Sequence, residues 1–302
     1  MLQLLRVEWM KVRNYKTFWI LLAITLLSIP GFSYMLFNIM DNSFPKQRGK
    51  SILGSPFGFP DVWQTVSWNS SLLFIIPAIL IITLTTNEFT YKTHRQNVID
   101  GWNRRQFVSV KLMEVLLLSV LTTVTVLLTA FLFGYLNNKT GAVAGTGAPA
   151  AAGAAAGAGI GGVGPGAGVG VIGAGAGAAA GSIWQESRFV FFYFVEMLSY
   201  SLIAFLMSMF VKRAGLTMGL FFIYMIVEQI VVGIVRNKYE MKGADYLPQE
   251  VTDRLIPLPY AKAFLAKQAN WESHIPIYLG VAACYIVIYC LVTGRNFLKS
   301  DL

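Results

Sequence analysis

The chain has 302 residues, 55% of them hydrophobic and 13% charged, with mean hydropathy +0.58 and a formal net charge of +9. Soluble domains carry about a quarter charged residues, so this balance excludes an ordinary water-soluble domain and makes the bilayer the natural solvent. The basic residues flank apolar runs instead of forming one stripe, which suits membrane topology and anionic headgroups and argues against nucleic acid.

In chain order, Leu2, Leu5, Trp9 and Val12 recur at helical spacing, with Arg6 and Arg13 on another face. That pattern predicts a short amphipathic helix lying along the inner membrane interface, in contact with lipid. A spanning helix needs roughly 20 mostly apolar residues. Six segments qualify: 17–40, 67–87, 112–136, 189–211, 215–235 and 275–294. The first is too long for a cleaved signal and no small-residue cleavage site follows it, so it reads as a retained anchor. Pro30 and Pro77 fall inside the first two spans, where neighbouring helices make a kink tolerable.

Between the second and third spans lies NEFTYKTHRQNVIDGWNRRQFVSVKL, residues 87–112, a basic and polar insert. Glu88 ends the span, and Tyr91 to Ile99 continue as a helix exposing Lys92 and Arg95. Gly101 suits a left-handed cap. Asn103 with Gln106 three residues on resembles a capping box that restarts a helix, and Arg104, Arg105 and Lys111 lead it into the third span. The result is an elbow shaped to dock on a cytoplasmic partner. Glu114, three residues after Lys111, reads as half of a surface pair near water.

Residues 141–181 contain 16 glycines, and no charge occurs between Lys139 and Glu186. Each glycine costs a helix up to about 1 kcal/mol relative to alanine, so the tract is predicted to be a low-complexity outer linker, not a seventh span. Glu196 and Glu228 lie inside the fourth and fifth spans, each eight residues from an arginine at the outer end, Arg188 and Arg236. Both therefore sit about 12 Å below the outer surface by helical rise. An ionised carboxylate is expensive there. Either the two line a polar translocation route, or they hydrogen-bond across helices to Gln229, Ser199 or Tyr200. Cys284 and Cys290, six apart in the last span, point to different faces and read as small apolar fillers.

With the N-terminus inside, the inner segments carry 13 basic residues in 51 positions and the outer loops 11 in 117. Both termini are therefore expected on the cytoplasmic side.

Chemistry has few places to reside. The Gly-rich tract matches G-x-G-x-x-G at Gly168, Gly170 and Gly173 without the strand and helix that motif needs. Gly49-Lys50-Ser51 ends like a P-loop, but Phe44 stands at the first glycine position. His94 and His274 have no second histidine or cysteine at ligand spacing, and no H-E-x-x-H or G-x-S-x-G occurs. No catalytic site, cofactor site or metal site is expected in this chain.

Glu88, Thr93, Arg95, Gly101, Arg104 and Lys111 together resemble the inner elbow of ABC-2-type ABC transporter permeases. In that family a Glu closes the second span, followed by a Thr-x-Arg/Lys element, a Gly turn, an Arg, and a Lys entering the third. The outline agrees as well: an interfacial N-terminal helix, six spans and an outer loop before the last. The Gly/Ala tract departs from the family, whose corresponding loop is compact. The resemblance implies an all-α integral membrane protein, one permease domain over 1–302, with six transmembrane helices. It implies that Glu88, Lys92, Thr93, Arg95, Gly101, Arg104 and Lys111 couple to a separate ABC ATP-binding subunit holding ATP-Mg. It also implies an exporter in the bacterial cell membrane, built with a second permease copy or a related chain, and an outer segment at 248–265 that dips back into the membrane. A membrane anchor or assembly scaffold that recruits a soluble partner without transport is the competing expectation.

Overall fold

A computed structural model describes residues 2–43, 56–91, 104–145, 184, 186–239, 242–259 and 271–299. Every regular element among them is helical. Helix α1 spans Leu2–Arg13 and α2 Lys16–Ser43; α3 (Val62–Ser71) and α4 (Ile75–Thr90) follow, then α5 (Arg104–Gly145), α6 (Arg188–Val211) and α7 (Ala214–Tyr239). A 3-10 turn at Lys242–Tyr246, the short α8 (Glu250–Asp253) and α9 (Trp271–Lys299) complete the order.

Five helices are long and apolar enough to cross a membrane: Lys16–Met40, Arg105–Asn137, Arg188–Val211, Ala214–Arg236 and Trp271–Arg295. The α3–α4 pair makes a sixth if counted as one span bent by 47°. Five of the six apolar segments of the sequence are thus single helices; the second is broken, and the bend is not centred on Pro77. The chain breaks at Leu72–Phe74, and Pro77 sits in the first turn of α4. The break is placed where the proline ring would otherwise meet the carbonyl of Leu73, and a first-turn residue does not need its N–H. Pro30, by contrast, is accommodated inside the unbroken α2.

Helix α6 is the mast of the bundle. It packs against α3, α4, α5, α7, α8 and α9, and 78% of its most apolar window is buried, against 17% for α7 and 11% for α9. It contributes to all three apolar clusters, through Phe189 and Met197 at one end, Ala204 and Tyr200 in the middle, and Phe205 and Met209 at the other. Ser199, Ser201, Ala204 and Ser208 let neighbouring backbones come close, as small residues do in membrane bundles. On α7 and α9 the large apolar side chains Leu216, Ile223, Ile226, Ile230, Val287 and Leu291 point outward. In water such faces would drive association; in lipid they are at home.

Close approach has its own local solution where α5 meets the loop before α3. A Cβ on Gly134 would come within 2.5 Å of the Phe59 ring, which also packs on Trp63 and Phe131. Helix α5 continues to Gly145, five residues into the Gly/Ala tract; the rest of that tract up to 181 lies outside the described residues.

Candidate functional site

The basic face predicted to dock a partner begins and ends on a buried ionic hub. Phe107, Val108, Lys111, Val115 and Leu118 repeat at helical spacing on α5 and are all buried, so Lys111 occupies a core position. Its Nζ bonds Glu88 Oε1 at the end of α4 at 2.7 Å, Glu8 Oε2 on α1 at 3.0 Å, and Glu114 Oε2 at 3.0 Å. Lys11 adds a second cation on Glu8 Oε1 at 3.1 Å. Lys111 is 2% exposed. The pairing with Glu114, itself only partly buried, is made at a buried ammonium: three carboxylates share Lys111, one of them carried in by α1.

Burial alone would push the Glu8 carboxyl upward; Lys111 and then Lys11 overcome it and hold Glu8 at about 2. Glu8 was invisible as a partner in the sequence, although it lies within the Leu5–Trp9–Val12 stripe, where an acid has no reason to be unless something meets it. Trp9, by contrast, is 54% exposed, so α1 turns Glu8, not its tryptophan, toward the bundle. Trp9 instead packs edge-on with Trp19, whose Nε1 donates to the Arg13 carbonyl at 2.9 Å. A further tie fixes the corner: Asn87 Nδ2 donates to the Tyr15 hydroxyl at 2.7 Å.

Lys212 reaches the same end. It caps α6 in the left-handed conformation, φ 57°, with its N–H on the Ser208 carbonyl at 3.1 Å. Its Nζ stands 5.5 Å from the Phe89 ring centre, beside Glu88. Of the elbow residues, Glu88 and Lys111 are thus brought together; Lys92, Thr93, Arg95 and Gly101 lie outside the described residues. Helix α5 starts at Arg104, whose side chain is likewise not described.

The opposite end holds a second acidic cluster. Glu228 Oε1 accepts the backbone N–H of Gln249 at 2.7 Å and, longer, that of Glu250 at 3.4 Å, capping the start of α8. Tyr200 donates its hydroxyl to Asp253 Oδ1 at 2.6 Å, and Glu196 lies near Asp253 and the Ser71 hydroxyl. The helix-to-helix partners proposed for the two acids, Gln229, Ser199 and Tyr200, are not the ones used. A backbone amide of the outer segment takes Glu228 instead, and Tyr200 goes to Asp253. That segment is tucked into the bundle: Gln64 Nε2 donates to the Pro257 carbonyl at 2.8 Å, Trp271 Nε1 to the Arg254 carbonyl at 2.7 Å, and the Tyr285 hydroxyl to the Tyr246 carbonyl at 3.0 Å. Phe264 and Leu265, the apolar end of the expected dip, lie outside the described residues.

The free cysteines Cys284 and Cys290 remain apart on α9. No group of three or more His, Cys, Asp or Glu side chains among the described residues has the geometry to hold a metal ion.

Outward-facing apolar helices with a charged hub at one end define a multi-pass helical membrane protein. The family described as ABC-2 family transporter protein matches residues 4–160, just over half of the chain, and the chain belongs to that family. It is a membrane permease component of an ABC transporter. The matched region contains the whole inner hub and ends before Glu196, Glu228 and Asp253. A search of curated proteins finds no match.

Proposed function

We propose that this chain is the permease subunit of an ABC exporter, driven by a separate ATP-binding subunit that docks on the elbow 88–111. The observation that carries the reading is the 2.7 Å pair between Lys111 and Glu88. It joins the two ends of the elbow and, through Glu8, ties them to α1. A force on the elbow then reaches the second span, the third span and the N-terminal helix as one unit, since a buried pair costs several kcal/mol to break. ATP-Mg belongs to the partner. Lys92, Thr93, Arg95, Gly101 and Arg104 present the docking face, Lys212 stands beside it, and both termini are cytoplasmic in a bacterial cell membrane.

Two permease copies, or this chain with a related one, complete the pathway, with the unpartnered faces of α7 and α9 against lipid or the second copy. Glu196 and Glu228 stand at its outer end. The test is to co-purify the chain with its ATPase and reverse charge at Arg104 or Lys92. ATPase turnover should lose its response to the permease while the thermal midpoint of the spans stays put. Unchanged coupling in both variants overturns the docking assignment, and an ATPase that binds but drives no movement across the membrane leaves a scaffold instead of an exporter.

A further inference from the structure

The outer cluster lacks what the inner one has. Glu196 and Glu228 are 4% and 6% exposed, and Asp253 lies under the same segment. Among the described residues no lysine or arginine pairs with any of the three: Arg236 and Arg254 are engaged by Glu250 and Asp245 instead. Glu196 Oε2 and Glu228 Oε2 find no hydrogen-bond partner among the described residues.

A second observation is independent of the acids. Gln249, whose N–H is held by Glu228, is buried with both amide atoms unpartnered among the described residues. Ser199 lies one turn from Glu196 on the same face of α6. Its hydroxyl is buried and unpartnered among the described residues. Buried polar groups in such number call for water, and water gives protons a route to the carboxylates.

We propose that the outer segment 242–257 is a proton-latched plug: it stays seated while Glu196 and Asp253 hold protons, lifts when they ionise, and is hinged where Glu228 holds the Gln249 N–H. The groups that set the latch come from every element around it. Glu250 and Arg254 flank Asp253 on its own turn, and Asp245 adds charge from the 3-10 turn. Helix α6 presents Glu196 and Tyr200, α7 presents Glu228, Tyr224 and Arg236, and α9 presents Tyr285 and Tyr289. Burial pushes the Asp253 carboxyl from 3.8 up to about 7; the Tyr200 bond opposes this, and Glu250 and Glu228 reinforce it. Because the seated form binds the proton more tightly than the lifted form, seating is fully supported below about pH 3.8 and lost as pH rises through about 7. Each lift releases protons to water; no bond other than carboxyl O–H changes.

The experiment uses the full chain in nanodiscs, with a thiol introduced by Val251→Cys, a fully buried position on α8, and a reference thiol introduced by Leu258→Cys, 42% exposed. Cys284 and Cys290 are replaced by alanine. Maleimide labelling of the first relative to the second removes the intrinsic pH dependence of thiol chemistry. The ratio should rise about tenfold from about pH 6 to about pH 8, and Asp253→Asn, which still accepts the Tyr200 hydroxyl, should flatten it without lowering the thermal midpoint. Glu196→Gln should shrink the rise, and His274→Gln should leave it intact. A flat ratio in the parent, a full rise in the Asp253→Asn variant, or loss of the rise in the His274→Gln variant overturns the latch. None of these outcomes depends on the elbow or its ATPase.

Discussion

The two ends of this bundle solve the same problem in opposite ways. At one end, inner in the proposed orientation, Glu8, Glu88 and Glu114 surround Lys111, with Lys11 beside them. At the outer end Glu196, Glu228 and Asp253 gather with tyrosines and backbone amides and, among the described residues, no cation. A buried carboxylate must be paired or neutral. The inner trio shares the Lys111 ammonium, with Lys11 on Glu8, and works as a fastener between α1, α4 and α5. The outer trio has no such cation among the described residues, and in the proposed latch its hold on the outer segment depends on protons at Asp253.

The largest effect is expected from Lys111→Met. With the shared ammonium gone, the buried Glu8 and Glu88 and the partly buried Glu114 repel, and the loss should be about 3–5 kcal/mol. It would be seen as a large drop in thermal midpoint or as failure to recover monodisperse protein in detergent. Adding Glu88→Gln to that variant should restore part of it. A Lys111→Met protein as stable as the parent would reduce the hub to a surface ornament.

A smaller effect is expected at Glu228, where the partner is a backbone amide. Glu228→Ala leaves the Gln249 N–H buried and unpaired at about 1–3 kcal/mol, whereas Glu228→Gln keeps an acceptor and should stay near the parent by thermal midpoint. Equal loss in both would mean that the negative charge, not the cap, holds α8.

The subtlest contrast is in pH. Glu8 is depressed from 4.5 to about 2, so its contribution is present above about pH 4.5 and lost as pH falls toward 2. Asp253 is raised, so seating of the outer segment weakens in the other direction, as pH rises through about 7. Thermal midpoint against pH should therefore fall on both sides, with Glu8→Gln flattening the acid limb and Asp253→Asn the alkaline one. A single variant that flattens both limbs would show the two ends to be one coupled system.

Periodicity made the spans legible, since a run of about 20 apolar residues has few other fates in water or lipid. It also exposed Glu88 and Lys111, because charged residues at the ends of apolar runs need a reason. What it could not supply was direction. Glu114 looked like a surface neighbour of Lys111 because i,i+3 spacing is the same in water and in a core; only the tertiary structure shows that Lys111 is buried and that Glu8 and Glu88 join the pair. Glu8 hid in a short amphipathic helix whose charges read as solvated.

Composition and hydrophobic period by themselves determined that this protein is built of apolar helices fit for a membrane, and marked the segments that form them. They act locally, along one helix at a time. Which acids meet a cation and which do not was decided only when α1 closed over Lys111 and the outer segment folded back onto Glu228 and Tyr200, because charge compensation depends on groups brought together from distant parts of the chain.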